Sequence, residues 1–161
     1  ILDTGLNLDH PSFAATSPPP DSYTHTNPLG SGNFLGLCDT DPTNYVCNDK
    51  LIGYYIYTSE NHEDQDGHGS HTGSTTAGNP LPAGYVDLSP YAYSPAISGV
   101  APHANIIGYD VCDDTGACAT SGSIAATDQA VLDGGLTEWH VHDAVRIAAT
   151  VSAAALALEL T

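Results

Sequence analysis

Apolar residues gather in two short runs that longer polar stretches separate. "KLIGYYIYT" (50–58) is rich in β-branched and aromatic residues, the composition of a β-strand. "ANIIGYDVC" (104–112) is apolar on both faces for most of its length, as in strands buried inside a parallel sheet. The chain opens on "ILDTG" (1–5), an apolar pair that leads into an acid and a turn. This opening is typical of the end of a strand, so three strands are predicted.

A helix is expected after the second apolar run. In "SGSIAATDQAVLDGG" (121–135), Ser121 or Ser123 can cap a helix that ends at Gly134–Gly135. The order strand, turn, helix indicates a βα unit, and therefore an α/β fold in which a parallel sheet has flanking helices. Residues 141–160 are Ala-rich and have a helical pattern.

Two segments are predicted to be surface loops. Residues 14–34 are rich in Pro, Ser, Thr and Gly, and residues 78–98 carry four prolines among several turn residues. No internal repeat is present. The 161 residues therefore suit one domain of ordinary size. The chain has no Met and no signal peptide, so we expect a fragment or a processed chain.

The charge balance narrows the choice of partners. The chain has nineteen acidic residues and only two basic ones, Lys50 and Arg146, which gives a net charge of −17. Such a field repels phosphate backbones and anionic lipids, so neither nucleic acid nor a membrane is expected as a partner. The last apolar stretch is interrupted by charge and does not read as a membrane span. Acidic loops such as "DDTG" (113–116) could hold Ca²⁺ weakly.

The four cysteines allow three disulfide pairings. Their short separations favour Cys38–Cys47 and Cys112–Cys118, each of which closes a small loop. This framework requires an oxidising compartment, so a secreted or periplasmic location is predicted. A zinc site is the weaker alternative, because the spacings are not CxxC.

The stretch "DGHGSHTGSTTAG" (66–78) places histidines among glycines and small residues. Glycine on both sides of His68, at Gly67 and Gly69, lets the backbone approach its neighbours closely. A histidine that opens such a helix presents its imidazole at the surface, where it suits a general base. The alternative is a metal pair formed by His68 and His71.

Asp3 is the candidate partner of this base. A carboxylate at a strand end can accept a hydrogen bond from an imidazole N–H and fix its tautomer. Aspartic peptidases also use the letters "DTG", so this short motif alone does not identify the chemistry.

Taken together, several motifs resemble those of subtilisin-like serine peptidases. "ILDTGLNLDHPSF" resembles the aspartate motif of that family, and "DGHGSHTGSTTAG" its histidine motif. "ISGVAPHANIIGYDVC" and "SGSIAATDQAVLDG" resemble the segments that follow, in the same order. The paired cysteines look most like those of secreted bacterial members that carry a protease-associated domain.

The resemblance assigns roles to individual residues. It implies that Asp3 is the orienting acid, that His68 is the general base, and that Gly67 and Gly69 keep the turn open around His68. His71 then looks like a packing and hydrogen-bonding residue. Peptides or esters are the implied substrates, and no cofactor is required.

The likeness covers residues 1–134, and the 135–161 segment reads as a non-matching, helical tail. The motif that presents the nucleophilic serine is not recognisable in the chain, and neither is the oxyanion-hole asparagine segment. The subtilisin-like fold is therefore expected to be incomplete, with an exposed sheet edge through which a homodimer could form.

Two other functions stay open. The Asp3–His68 pair alone could act as a small, promiscuous ester hydrolase that activates water or a nearby hydroxyl. An inactive metal-binding fragment is the other possibility, in which His140, His142 and Asp143 join His68 or His71.

Overall fold

A computed structural model describes residues 1–59, 63–85 and 95–134. Four strands, β1 (Leu2–Asp3), β2 (Leu35–Gly36), β3 (Leu51–Ile56) and β4 (Ile106–Asp110), form one sheet. Three α-helices are present among the described residues: α1 (Leu37–Thr40), α2 (His68–Ala77) and α3 (Thr120–Gly134). A 3-10 turn spans Pro11–Phe13. The tail helix predicted over 141–160 lies outside the described residues.

All strand pairs of the sheet are parallel, in the order β1-β4-β3-β2. Asp3 of β1 stands opposite Asp110 of β4, so these two strands end side by side. The order confirms the predicted α/β class and its parallel sheet with flanking helices. Strand β2 is only two residues long, too short to show an alternating pattern, and the sequence did not predict it.

The two faces of the sheet carry separate hydrophobic clusters. One cluster joins Leu51, Tyr54 and Ile106 to Phe13 and to Ala77 of α2. The other packs Tyr109 and Val111 against α3, through the buried side chains of Ala126 and Ala130. Successive side chains of a strand point to opposite faces, so α2 and α3 cover opposite sides of the sheet. A three-layer arrangement results, in which β4 is buried from both sides.

Helix α3 begins at Thr120, before either of the serines that were expected to cap it. Ser121 and Ser123 lie inside its first turn, so the prediction that one of them caps the helix is wrong. The hydroxyl of Ser123 instead donates to the carbonyl of Ala119 at 3.1 Å, the back-bonding that serine makes within a helix. Among the described helices, none is long and apolar enough to cross a membrane.

Candidate active site

Asp3 and His68 come together although 65 residues separate them. Asp3 ends strand β1, and His68 is the first residue of helix α2. The His68 Nδ1 atom lies 2.7 Å from Oδ1 of Asp3, a short charge-assisted contact. The Asp3 side chain is 15% exposed, whereas that of His68 is 63% exposed. The carboxylate is thus held within the fold while the imidazole reaches the surface.

Two further donors bind the Asp3 carboxylate. The backbone N–H of Thr4 donates to Oδ1 at 2.8 Å, and the hydroxyl of Thr72 donates to Oδ2 at 3.0 Å. Burial alone would raise the pKa of Asp3. The hydrogen bonds from His68, Thr4 and Thr72 outweigh this effect and hold the pKa below its usual value. Asp3 is therefore ionised at neutral pH.

The charge of Asp3 acts in turn on the imidazole. The hydrogen bond to Asp3, followed by the negative charge of Asp3, raises the pKa of His68 above its ordinary value. An ionised carboxylate only accepts hydrogen bonds, so Nδ1 carries the proton and Nε2 keeps its lone pair. Among the described residues, the His68 ring hydrogen-bonds to Asp3 and to no hydroxyl group. The pair therefore joins an ionised carboxylate to an imidazole that can accept a proton at Nε2.

A buried acid fixes the start of helix α2. Asp64 accepts the backbone N–H of Gly67 and of Ser70, both at 2.7 Å, and the Thr4 hydroxyl at 2.9 Å. The Thr4 hydroxyl accepts the N–H of Gly69 in the same network. Asp64 thus caps the first turn of α2 from outside the helix. The sequence analysis did not predict a role for Asp64, although an acid shortly before a helix start is a capping signal.

The glycines around His68 meet separate needs. Gly67 has a φ of 87°, the left-handed backbone conformation that glycine adopts most easily. Gly69 presses directly on the backbone of Gly5, where a side chain has no room. His71 is exposed, and its backbone N–H donates to the carbonyl of Gly67 at 3.1 Å. The packing role expected of His71 is not supported by the described residues.

The cysteines are paired as the sequence predicted, Cys38 with Cys47 and Cys112 with Cys118. No cysteine remains as a thiolate ligand for zinc. Over the parts of the chain that the structure describes, no three His, Cys, Asp or Glu side chains form a group able to hold a metal ion. His140, His142 and Asp143, the other predicted metal ligands, lie outside the described residues.

Within the described residues, no serine hydroxyl hydrogen-bonds to the ring of His68. Ser121 and Ser123 belong to α3, and Ser152 lies outside the described residues. The hydroxyl of Ser70, two residues after His68, accepts the backbone N–H of Asn7 at 3.0 Å. The described site is thus a pair, Asp3 with His68.

Comparison with known proteins shows that the chain is similar to subtilisin-like proteases. The model of the Subtilase family matches residues 1–150, past the boundary predicted at residue 134. From Arabidopsis thaliana, Subtilisin-like protease SBT4.13 is 35% identical over 137 residues, and Subtilisin-like protease SBT4.15 is 36% identical over 146. Each alignment covers 83% of this chain, but 16% and 17% of the respective relative.

The chain therefore spans about a sixth of the length of these relatives. Subtilisin-like protease SBT1.4, also from Arabidopsis thaliana, is 35% identical over 154 residues, which are 83% of this chain and 18% of the relative. These relatives are plant proteins. The prediction from the cysteines that the chain is most like bacterial members of the family is therefore corrected. The family model matches most of the chain, and the sequence identity to SBT4.13 is 35%. The chain therefore belongs to the subtilase family.

Proposed function

We propose that this chain supplies the acid and the base of a subtilisin-like serine peptidase, with Asp3 orienting His68. The observation that carries the proposal is the 2.7 Å contact between Nδ1 of His68 and Oδ1 of Asp3. Asp3 holds the imidazole in the Nδ1–H tautomer and stabilises the imidazolium that forms when Nε2 takes a proton. Nε2 then removes the proton from a serine hydroxyl as that hydroxyl attacks the peptide carbonyl.

The nucleophile and the oxyanion donors come from outside the Asp3–His68 site. No serine in a recognisable nucleophile motif is present in the sequence, and the relatives are about six times as long. A base without these groups lacks the parts that form and stabilise an acyl intermediate. Peptide hydrolysis is therefore a property of an assembled site to which this chain contributes two of three triad members.

Ester hydrolysis by the pair alone is the second candidate function. It is favoured by the exposure of His68, whose Nε2 can activate water without any further group. General-base catalysis of this kind contributes about 10²–10⁴-fold, enough for reactive esters but not for peptides. No cofactor is needed for either reaction.

Hydrolysis of a p-nitrophenyl ester and of a chromogenic peptide tests both functions. We expect slow ester hydrolysis that His68→Ala abolishes and that His71→Ala, on the same helix, leaves unchanged. Equal ester rates in the wild type and His68→Ala would exclude a base at His68. Peptide hydrolysis that also depends on His68 would place a nucleophile within this chain.

The compartment and the assembly follow as parts of the same proposal. The two disulfides support an oxidising, secreted location. Strand β1 lies at the end of the described sheet, so its outer edge can pair with a second copy of the chain. Sedimentation equilibrium over a range of concentrations would reveal such a homodimer, and a monomer at every concentration would contradict it.

A further inference from the structure

Thr72 lies one helical turn after His68 and touches the same carboxylate. Its Oγ1 atom is 3.0 Å from Oδ2 of Asp3, whereas His68 and the Thr4 N–H use Oδ1. The two oxygens of Asp3 are therefore held by different donors. The contact spans 69 residues of sequence, so it depends on how helix α2 packs against strand β1.

The hydroxyl of Thr72 differs from that of Thr76, one turn further along α2. Thr76 Oγ1 donates to the carbonyl of Thr72 at 2.8 Å, the ordinary back-bonding of a helical threonine. Thr72 has a similar acceptor available, the carbonyl of Gly69 at 3.0 Å. An ionised carboxylate at the same distance is the stronger acceptor, because charge-assisted hydrogen bonds are about twice as strong as neutral ones. The single hydroxyl proton of Thr72 therefore favours Asp3.

A carboxylate held through one oxygen can still turn. The terminal torsion of an aspartate side chain is broad, so bonds to Oδ1 alone define the plane of the group poorly. A donor on Oδ2 removes this freedom. We propose that Thr72 is a positioning residue whose hydroxyl fixes the plane of the Asp3 carboxylate and keeps Oδ1 on Nδ1 of His68. This inference rests on the proposed function, since it concerns the alignment of the same pair.

The other contacts of Asp3 support this assignment. Thr4 directly follows strand β1 and Thr72 lies in helix α2, so the carboxylate is bonded from both of the elements that carry the pair. The Thr72 hydrogen bond is also one of the causes that hold the pKa of Asp3 low. Loss of the hydroxyl alone should therefore change both the tautomer of His68 and the pKa of Asp3.

The test compares Thr72→Val, which keeps the shape and removes the hydroxyl, with Thr72→Ser, which keeps the hydroxyl. Thr76→Val is the matched control on the same helix. Long-range ¹H–¹⁵N NMR at a pH above the His68 pKa gives the ratio of the Nδ1–H to the Nε2–H tautomer. We expect Thr72→Val to lower this ratio about threefold or more, while Thr72→Ser and Thr76→Val keep the wild-type value. The pKa of Asp3, from the ¹³C shift of its carboxyl group, should rise only in Thr72→Val.

An unchanged tautomer ratio and Asp3 pKa in Thr72→Val would overturn the inference. Thermal melts show whether each variant is folded, and Thr72→Ala replaces the valine variant if that one unfolds. The NMR measurement needs no turnover, so it is independent of the ester assay. If His68→Ala leaves ester hydrolysis unchanged, the proposed function fails while the role of Thr72 in fixing the pair can still hold.

Discussion

Gly69 of helix α2 lies directly against Gly5 in the turn that follows strand β1. A Cβ atom on Gly69 would overlap the carbonyl oxygen of Gly5, which is a backbone atom and cannot move aside. This approach brings the first turn of α2 against the end of β1, and so brings His68 within reach of Asp3. Glycine at position 69 is thus required by packing between two elements.

Gly69→Ala is expected to destabilise the fold severely, by about 3 kcal/mol or more, because the added methyl group forces backbone apart. Urea unfolding measures the loss. Gly73→Ala is the matched control on the same helix. Its Cβ would approach Cδ2 of Leu6 at 2.8 Å, the end of a flexible side chain, and would meet the Phe13 ring at ordinary contact distances of 3.4 and 3.6 Å. A loss for Gly69→Ala no greater than for Gly73→Ala would contradict the prediction.

Asp3→Asn is expected to lower the pKa of His68 toward its ordinary value, because the charge that stabilises the imidazolium is removed. In the wild type, the Asp3–His68 pair stabilises the folded protein. This stabilisation is fully present at pH values below the pKa of histidine in the unfolded chain, about 6.5. It is lost as the pH rises through the higher pKa of His68 in the folded protein. NMR titration of the His68 ring measures the midpoint. Asp39→Asn, an exposed acid on α1, is the charge-matched control. A midpoint equally displaced in both variants would indicate a general charge effect.

Lys50 is completely buried and donates to the carbonyls of Pro102 and Ala104 at 2.8 and 3.0 Å. Lys50→Met leaves these two carbonyls without their donor, so we expect a loss of about 1–3 kcal/mol at neutral pH. Burial lowers the pKa of Lys50 from 10.5 to about 8. At pH values between these two pKa values, Lys50 is protonated in the unfolded chain but not in the folded one. The stability of the wild type relative to Lys50→Met should therefore rise with pH in this range.

Urea unfolding at about pH 7 and about pH 10 compares the two proteins. A difference in stability between wild type and Lys50→Met that stays constant across this window would show that Lys50 does not titrate there.

The disulfides close loops of similar length, with separations of 9 and 6 residues. Chain entropy alone gives each about 2–3 kcal/mol. Cys38 and Cys112 are each buried in a core cluster, and Cys47 packs against the cluster of Cys38, whereas Cys118 is exposed. The double alanine variant at Cys38 and Cys47 should therefore lower the melting temperature more than the one at Cys112 and Cys118. Equal melting temperatures would show that the contact of Cys47 with the core adds nothing.

Several elements could be predicted from the sequence because their pattern is local. The runs 50–58 and 104–112 contain β3 and β4, since a buried strand needs a continuous apolar stretch whatever its neighbours are. The end of α3 at Gly134 follows from the glycines there. Asp3 and His68 were recognisable because each lies in a motif with characteristic neighbours.

Other features required the tertiary structure. Strand β2 has two residues, and such a short segment has no pattern to detect. Lys50 reads as a surface residue in sequence, because a lysine next to a strand is usually solvated, and only the position of Pro102 and Ala104 shows that it is buried. Ser121 and Ser123 have capping propensity, yet helix α3 starts at Thr120, before both of them.

The sequence by itself determined the class of fold and the strands β3 and β4, and it singled out Asp3 and His68 as a candidate acid and base. Only the tertiary structure decided which groups complete the pair: Asp64 at the start of α2, Gly5 beneath Gly69, and Thr72 on the second oxygen of Asp3. The physical reason is that hydrophobic periodicity acts over a few neighbouring residues. The bonds from His68 and Thr72 to Asp3 instead join residues more than 60 positions apart, which meet only when α2 packs on the sheet.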